Sequence, residues 1–349
     1  VVKLREKAET MKKGGHTVMH TICLKDNWTL TVLGKNVYDI PETPIETKVP
    51  STVYGTLLEK GLIPDPFYRD NELDALKLME NDFAYETTIV ISEEDRKADR
   101  LFLHFDGIDT IADVYLNGEK IGSADNMNRV WEYDITDLVA GDAADTVYQV
   151  KVVLHSPTKF IAEEEAKCPV GAASDAMPGF PHIRKAACMY GWDWGPRLPD
   201  AGLFREASVL AVKTARLAQV FVGQEHHVTG KTVHGNVVDF VRLTADAEIE
   251  WMPGVTDGKV KIVMTVTSPD GKTVLTAESG TMDPLTNSAP AKNLTGLTCD
   301  LRSNRKSGAV VAERLWCTGT VSGKGRARCR RYPGYLGEED GSSYHHRKY

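Results

Sequence analysis

The 349-residue sequence predicts an all-β protein: a jelly-roll β-sandwich followed by a truncated immunoglobulin-like β-sandwich. Two observations support this fold class. Many short segments alternate between apolar and polar residues, and turn-forming residues recur about every ten positions. Helical periodicity is limited to one short stretch, TVYGTLLEKGL (52–62). These patterns favour antiparallel sheets that pack face to face around a shared core.

The first sandwich is predicted over residues 20–215, where strand-like segments follow one another closely. Asn117-Gly118 lies between two of them, and this dipeptide is the strongest short hairpin signal that a sequence offers. The segments are LFLHFDGI (101–108), DVYLNGEKIGSA (113–124), WEYDITDLV (131–139) and TVYQVKVVLHS (146–156). Their spacing is typical of a sandwich or jelly roll.

The second sandwich is predicted over residues 216–290. Its strand-like segments are RLAQVFVGQEHH (216–227), AEIEWMPG (247–254) and GKVKIVMTVTSPDGKTVLTAES (258–279). The last segment contains an SPDG sequence, which has the residues expected in a tight turn. An immunoglobulin-like sandwich needs more strands than these, so we expect this one to be incomplete.

The two ends of the sequence differ from the rest. Residues 1–19 are rich in charge and lack the apolar region of a secretory signal, so we expect a leader without ordered structure and a cytoplasmic location. Residues 292–349 contain 12 basic and 5 acidic residues, whereas the other 291 residues contain 30 basic and 44 acidic ones. The segment 291–349 also lacks strand alternation, so we expect it to be disordered.

The remaining composition excludes several classes of protein. Hydrophobic residues make up 42% of the chain and charged residues 26%, as in an ordinary soluble globular protein. No run of about 18 apolar residues occurs, so no membrane is expected as a partner. Cys23, Cys168 and Cys188 have no metal-type spacing, and the other three cysteines lie in the last 58 residues, at Cys299, Cys317 and Cys329. No metal and no other cofactor is expected.

Four segments resemble the N-terminal part of glycoside hydrolase family 2 enzymes, and the resemblance covers about residues 24–280. They are NWTL (27–30), KVPSTVYGTLLEKGLIPDPFYRDNE (48–72), DGIDTIADVYLNG (106–118) and PHIRKAACMYGWDWGPRLPDAGLFR (181–205). The VPSTVY (49–54) and DGIDTIADVYLNG (106–118) patterns are shared with β-galactosidase and β-glucuronidase relatives. The IRKA sequence followed by GWDWGP is similar to the β-mannosidase branch.

The resemblance implies that the first sandwich is a galactose-binding-like, sugar-binding domain. It also implies that catalysis belongs to a (β/α)₈ barrel, in which two glutamates about 5 Å apart act with retention of configuration. No strand–helix alternation typical of that barrel occurs in the sequence. We therefore expect no catalytic residue in this chain, and EEDR (93–96) and AEEEA (162–166) are interpreted as solvated charge runs.

The hexapeptide GWDWGP places Asp193 between Trp192 and Trp194. In an extended segment the two indoles would point to one side and the carboxylate to the other. The residues alone leave two interpretations open: two core rings of a strand with a solvated aspartate, or a sugar site in which the carboxylate accepts hydroxyl groups and the indoles stack on the sugar. The resemblance implies that Asp193 contacts a terminal mannose.

Arg184, and Lys185 beside it, are candidates to support this loop by pairing with a carboxylate, although a surface role is equally compatible with the sequence. His182 is a further, weaker candidate for the site. We include Arg184 with Trp192, Asp193 and Trp194 as predicted substrate-binding residues.

The basic tail suggests either a nucleic-acid-binding arm or an out-of-frame translation product, and we favour the second. A one-base shift allows Val310–Trp316 to encode WWPNGYG and Gly341–Arg347 to encode GLRTITV. Both products contain landmarks that the resemblance implies, WWPNG and GLRT. We therefore expect the reading frame to change between about Ser288 and Gly308, and we expect no nucleic acid partner.

The sequence thus predicts the N-terminal fragment of a β-mannosidase, an enzyme that removes terminal β-linked mannose from β-mannoside oligosaccharides. The fragment itself is expected to be inactive. Two alternatives stay open: a stand-alone carbohydrate-binding module, or a fragment of a β-galactosidase or β-glucuronidase relative. The sequence carries no signal for the oligomeric state.

Overall fold

A computed structural model describes residues 2–8, 19–35, 37–143, 146–232, 235–256, 260–267, 274–279, 294–302 and 317–319. The strands in chain order are β1 (Val2–Ala8), β2 (Met19–Cys23), β3 (Trp28–Leu33), β4 (Ile45–Thr47), β5 (Ser51–Thr52), β6 (Asp82–Val90), β7 (Arg100–Phe105), β8 (Ala112–Leu116), β9 (Glu119–Ala124), β10 (Trp131–Asp134), β11 (Val147–Leu154), β12 (Tyr190–Trp192), β13 (Gly195–Arg197), β14 (Gly202–Leu203), β15 (Ala207–Val212), β16 (Ala215–Thr232), β17 (Gly235–Trp251), β18 (Val260–Thr267), β19 (Val274–Glu278), β20 (Leu294–Arg302) and β21 (Cys317–Gly319). The α-helices are α1 (Val53–Glu59), α2 (Asn71–Leu78), α3 (Thr136–Val139) and α4 (Pro157–Lys167), and short 3₁₀ helices span Asp95–Lys97, Phe180–His182 and Ala187–Met189.

The first sandwich consists of two antiparallel sheets that enclose one core. One sheet has the order β10-β7-β15-β2 and the other the order β4-β3-β6-β11-β8-β9. Side chains from both sheets form a single hydrophobic cluster that includes Trp28, Phe83, Phe105 and Tyr148. The predicted all-β sandwich architecture is therefore confirmed.

Local sequence explains why these strands form. In β7 the side chains of Leu101, Leu103 and Phe105 are buried, while the residues between them are half-buried. This period of two is what a strand with one face on the core requires. Strand β15 is buried along its whole length, because one of its faces packs in the main core and the other packs against Met252.

The predicted turn and helix both occur. Asn117 and Gly118 connect β8 to β9 with positive φ angles of 50° and 82°, which suit a tight hairpin turn. Helix α1 lies inside the helical stretch identified in the sequence, and the Thr52 side chain caps it by accepting a hydrogen bond from the Gly55 N–H group.

The second sandwich has a smaller core between two sheets. Their orders are β16-β17-β20 and β19-β18-β1-β21. The buried residues come from β17 (Val241, Leu243, Ala245 and Ala247) and from β18 (Ile262, Met264 and Val266). Residues 1–19 were expected to lack ordered structure, but residues 2–8 form strand β1, which pairs antiparallel with β18.

We expected disorder after residue 290, but Leu294–Arg302 form strand β20. Strand β20 pairs antiparallel with β17, and its apolar residues alternate in register with the buried positions of β17. These pairs are Leu297 with Ala245, Cys299 with Leu243 and Leu301 with Val241. Strand alternation therefore continues to Arg302. The predicted landmarks at 310–316 and 341–347 fall outside the described residues. Strand β21, at Cys317–Gly319, lies between them.

An ion-pair network lies where the two sandwiches meet. The Arg216 guanidinium donates to both carboxylate oxygens of Glu132, at 2.9 and 2.7 Å, and to Glu250 at 2.7 Å. It also lies over the Phe102 ring, 4.7 Å from its centroid. His104 Nδ1 is 2.8 Å from Glu132 Oε1. Arg216 thus joins a strand of the first sandwich to two strands of the second.

None of the helices in the described part of the chain is both long and apolar enough to cross a membrane.

Candidate functional site

The GWDWGP sequence forms a tight hairpin rather than the extended segment we expected. Strands β12 and β13 pair, with Trp192 opposite Gly195, so Asp193 and Trp194 are the two turn residues. Gly191 has a φ of 94°, and a Cβ atom there would lie 2.5 Å from Arg197 Cγ. Glycine is therefore needed at this position by both backbone and space. The hairpin places Asp193 at its tip.

Both tryptophans of the hairpin are exposed, so the interpretation of two core rings is wrong. Trp192 is 48% exposed and Trp194 is 77% exposed. Asp193 between them is also exposed. All three side chains of this segment are therefore in contact with solvent. The ring that is buried here is Tyr190, one strand position before Gly191.

Tyr190 fastens the hairpin to the domain. Its ring is fully buried against Ile161 and Ile183, and it stacks on Phe180 with a centroid distance of 6.1 Å. Burial and the nearby Asp109 carboxylate raise the pKa of the Tyr190 phenol. Its hydroxyl has no hydrogen-bond partner within the described part of the chain. The tyrosine therefore acts as an apolar anchor.

Arg184 lies on the surface and makes no ion pair with any residue that the structure describes. Its backbone carbonyl accepts a hydrogen bond from the Met127 N–H group at 3.1 Å, and Asn126 bridges to it. The guanidinium is thus not used to support the loop. Its role as a sugar contact stays a prediction.

The sequence left open whether Lys185 supports the loop or lies on the surface, and the structure shows that it is buried and paired. Its side chain is 0% exposed, and its ammonium donates to the Asp109 carboxylate, which is 1% exposed. The same ammonium donates to the Asp200 carbonyl at 2.7 Å. Neither Asp109 nor Asp200 was recognised from the sequence. Both lie in segments that carry the resemblance, which is the signal that could have drawn attention to them.

Asp200 lies directly after the hairpin and ties it to helix α1. Its carboxylate accepts hydrogen bonds from the N–H groups of Tyr54, at 3.0 Å, and Ala201, at 2.8 Å. Burial raises the pKa of Asp200 to about 6, although the N–H donors and Lys185 act in the opposite direction. This carboxyl group titrates closer to neutrality than an ordinary aspartate.

Two further ion pairs brace the surrounding segments. Arg197 in β13 donates to Glu72 of α2 at 2.7 Å. His182 Nε2 lies 3.1 Å from Glu165 Oε2 of α4, so this weaker candidate has a structural contact. Arg197 thus connects the hairpin to α2, and His182 connects the segment before the hairpin to α4.

The chemistry that this arrangement can perform is binding. A carboxylate at an exposed tip accepts hydrogen bonds from neighbouring hydroxyl groups, and exposed indole faces stack on the C–H surfaces of a sugar ring. In the described parts of the chain, no group of three or more His, Cys, Asp or Glu side chains is placed to hold a metal ion. An open cleft elsewhere is lined by residues 22–27 and 87–90, and no residue of the hairpin contributes to it.

Comparison with known proteins agrees with this architecture. A family model described as glycosyl hydrolase 2 galactose-binding domain-like matches residues 28–205. The β-mannosidase of Bos taurus is 30% identical over 212 residues, which are 58% of this chain and 23% of that protein. β-Mannosidase B of Aspergillus niger is 30% identical over 234 residues, which are 66% of this chain and 26% of that protein.

Solved structures show the same relationship. The β-D-mannosidase of Dictyoglomus thermophilum superimposes with a TM-score of 0.63 at 25% identity, over 81% of this chain and 31% of that chain. The exo-chitosanase of Amycolatopsis orientalis shares the fold, with a TM-score of 0.51 at 18% identity, over 80% of this chain and 29% of that chain. The matched region therefore spans about a quarter of the length of the sequence relatives.

The matched region contains most of the first sandwich and the exposed hairpin, and it has the galactose-binding-like fold that the resemblance implied. The chain belongs to the glycosyl hydrolase 2 family and is similar to the N-terminal portion of β-mannosidases.

Proposed function

We propose that this chain supplies the sugar-contacting N-terminal portion of a β-mannosidase. The observation that carries the proposal is the exposed Asp193 carboxylate, held between two exposed indoles at the tip of a braced hairpin. Its relatives are β-mannosidases, which makes a terminal β-linked mannose the expected ligand. The substrates of the complete enzyme would be β-mannoside oligosaccharides.

In this proposal Asp193 accepts hydrogen bonds from two hydroxyl groups of the terminal mannose. Trp192 and Trp194 cover the apolar face of the sugar, and Arg184 lies at the surface from which it can reach a more distant sugar oxygen. The two carboxyl groups of a retaining mechanism would belong to a barrel domain. The 349-residue chain by itself would then bind sugar negligibly and hydrolyse nothing.

A chimera tests the sugar contact directly. Residues 20–215 would replace the corresponding domain of the Dictyoglomus thermophilum β-D-mannosidase, and an aryl β-mannoside would be the substrate. We expect hydrolysis, and we expect Asp193→Asn to lower kcat/KM by about 10- to 100-fold, because a hydrogen bond to a charged group contributes about 1.5–3 kcal/mol. The matched control is Asp137→Asn, another exposed aspartate, which should leave kcat/KM unchanged.

An active chimera in which Asp193→Asn and Asp137→Asn behave alike would refute the role of Asp193.

The expected inactivity of the 349-residue chain is tested separately. The purified 349-residue chain should show no turnover of the same aryl β-mannoside above the uncatalysed rate, and measurable turnover that copurifies with the chain would overturn that part of the proposal.

The exposed aromatic tip also fits a stand-alone carbohydrate-binding module, which is the second candidate. Calorimetry of the 349-residue chain with mannose and mannobiose separates the two. A half-site should show no measurable heat of binding, because one hairpin contributes only part of the contacts that a sugar needs. A module should bind, and Asp193→Asn should abolish that binding.

The pairing of β20 supports a change of reading frame late in the predicted window. Apolar residues of β20 alternate in register with the core of β17 as far as Leu301, as an in-frame strand would. We therefore locate the change after Arg302 and before about Gly308. Sequencing the gene should show codons for WWPNG and GLRT in the neighbouring frame, and their absence would remove the hypothesis.

A further inference from the structure

The loop that carries Asp193 is closed at its base by one buried side chain. Lys185 precedes the loop and Asp200 follows it. The Lys185 ammonium donates to the Asp200 backbone carbonyl at 2.7 Å, so the two ends of residues 186–199 are joined by this contact. The hairpin at residues 190–197 lies entirely within the closed loop.

The same ammonium attaches the closed loop to the first sandwich. It donates to the Asp109 carboxylate, and both side chains are buried. Asp109 is in turn bonded to the chain after the hairpin: its N–H group donates to the Gly202 carbonyl at 2.9 Å, and the Gly202 N–H group donates to the Asp109 carbonyl at 2.9 Å. Three backbone segments therefore meet at Lys185.

The tip of the hairpin has no comparable support of its own. Asp193 is exposed, and its carboxylate makes no hydrogen bond or ion pair with the residues that the structure describes. Its position in space thus depends on the strands below it and on the base of the loop. A buried ammonium keeps its place only while its carboxylate partner is present, because an unpaired buried charge is strongly unfavourable.

We infer that Lys185 is a positioning residue, which closes the base of the loop and thereby holds Asp193 where it meets the terminal sugar. The part of this inference that concerns the terminal sugar rests on the proposed function. Its physical content, the dependence of the hairpin on Lys185, can be measured without any sugar.

Amide hydrogen exchange of the full 349-residue chain measures that dependence. Two variants are compared with the natural chain: Lys185→Met, and Lys185→Met combined with Asp109→Leu. The single variant leaves Asp109 buried without its partner and should lower Tm. The double variant replaces the ion pair by apolar side chains of similar size and should recover most of the Tm.

The double variant still lacks the contact between Lys185 and the Asp200 carbonyl. We therefore expect residues 190–197 to exchange about tenfold faster than in the natural chain, with unchanged exchange in β7 and β11. A merely structural role would restore hairpin exchange together with Tm, and that outcome would overturn the inference. Lys77→Met, which breaks an exposed pair with Asp74, is the matched control and should alter neither quantity.

A second measurement needs no variant and applies if the variants fail to fold. Acylation of Lys185 in the natural chain requires the base of the loop to open, so its rate should rise with urea in parallel with the exchange of the hairpin amides. Hairpin exchange that is fast while Lys185 stays protected would contradict the inference. Failure of either measurement refutes the positioning role alone, whereas failure of the chimera refutes the sugar contact.

Discussion

The tip and the base of the Asp193 hairpin lie a few residues apart and have opposite physical properties. At the tip, a carboxylate and two indoles are exposed to solvent. At the base, Lys185 and Asp109 form an ion pair with side chains that are 0% and 1% exposed. One end of the hairpin is available for binding, and the other end determines where the first is held.

This difference teaches that buried pairing and solvent exposure, and with them stability and the proposed ligand contact, fall on separate residues of one loop. A charge removed from water needs its partner, so substitutions at the base should be costly. A charge left in water needs none, so substitutions at the tip should hardly change stability. The following predictions test how sharply the two ends differ.

The largest effect is expected for Asp109→Ala at the base. It leaves the Lys185 ammonium buried without a counter-charge, which should lower the free energy of unfolding by about 3–5 kcal/mol. Urea denaturation measures this value. Asp193→Ala is the matched substitution at the tip and should change it by at most about 0.5 kcal/mol. Equal losses in the two variants would remove the distinction between the ends.

The next effect concerns the pH dependence contributed by Asp200, whose pKa is raised from 3.8 to about 6 by burial. The folded protein binds this proton more tightly than the unfolded chain does, so folding loses stability as pH rises from about 4 to about 6. Relative to Asp200→Asn, the natural chain should lose about 3 kcal/mol over this range.

Thermal or urea unfolding of both chains at a series of pH values gives the comparison. The difference between the two curves isolates Asp200 from the other carboxyl groups. A difference that stays constant from pH 3 to pH 7 would show that the carboxyl group titrates normally.

A smaller effect is expected at His104, where the two sandwiches meet. Burial lowers the pKa of this imidazole, but hydrogen bonds to Asp106 and Glu132 outweigh burial and raise it above 6.5. Its stabilising contribution is therefore fully present below pH 6.5 and is lost as pH rises through the raised value. His104→Gln should remove about 1 kcal/mol below that pH and less above it.

Calorimetric unfolding at pH 6 and pH 9 measures this change. The loss of unfolding free energy at this half-buried site should thus lie between the losses expected at the base and at the tip of the hairpin. A loss for His104→Gln that is larger at pH 9 than at pH 6 would reverse the expected sign.

The smallest effect is expected for Trp194→Ala at the tip. The ring is 77% exposed, so little apolar area returns to water, and Tm should shift by less than about 2 °C. Trp28→Ala, at a ring that is 1% exposed, is the contrasting substitution and should lower the free energy of unfolding by about 3–5 kcal/mol. A large loss for Trp194→Ala would mean that the tip supports the fold.

Much of the fold could be predicted because the relevant signals are local. Alternation in β7, the Asn117-Gly118 turn and the short helical stretch after Thr52 each depend on a few neighbouring residues. The strands at Val2–Ala8 and Leu294–Arg302 were not predicted, because each of them forms by pairing with a strand that is distant in the chain. Val2–Ala8 is highly charged and carries little β signal of its own, and the alternation of Leu297, Cys299 and Leu301 covers only five residues.

The candidate site divides in the same way. The GWDWGP motif and the resemblance together implied a role for Asp193. The tight turn at Asp193 and Trp194 was not predicted, since this short motif fits an extended strand as well as a two-residue turn. The burial of Lys185 was not predicted, because the sequence does not indicate which of two adjacent basic residues, Arg184 or Lys185, is buried.

The sequence by itself determined the class of fold, the family and the hexapeptide that forms the exposed turn, since these follow from short-range patterns and motifs. Only the tertiary structure decided which charges are buried, that Lys185 joins both ends of the loop, and that Asp193 is left in solvent. The physical reason is that burial and ion pairing are properties of contacts between segments far apart in the chain, and composition and spacing do not specify those contacts.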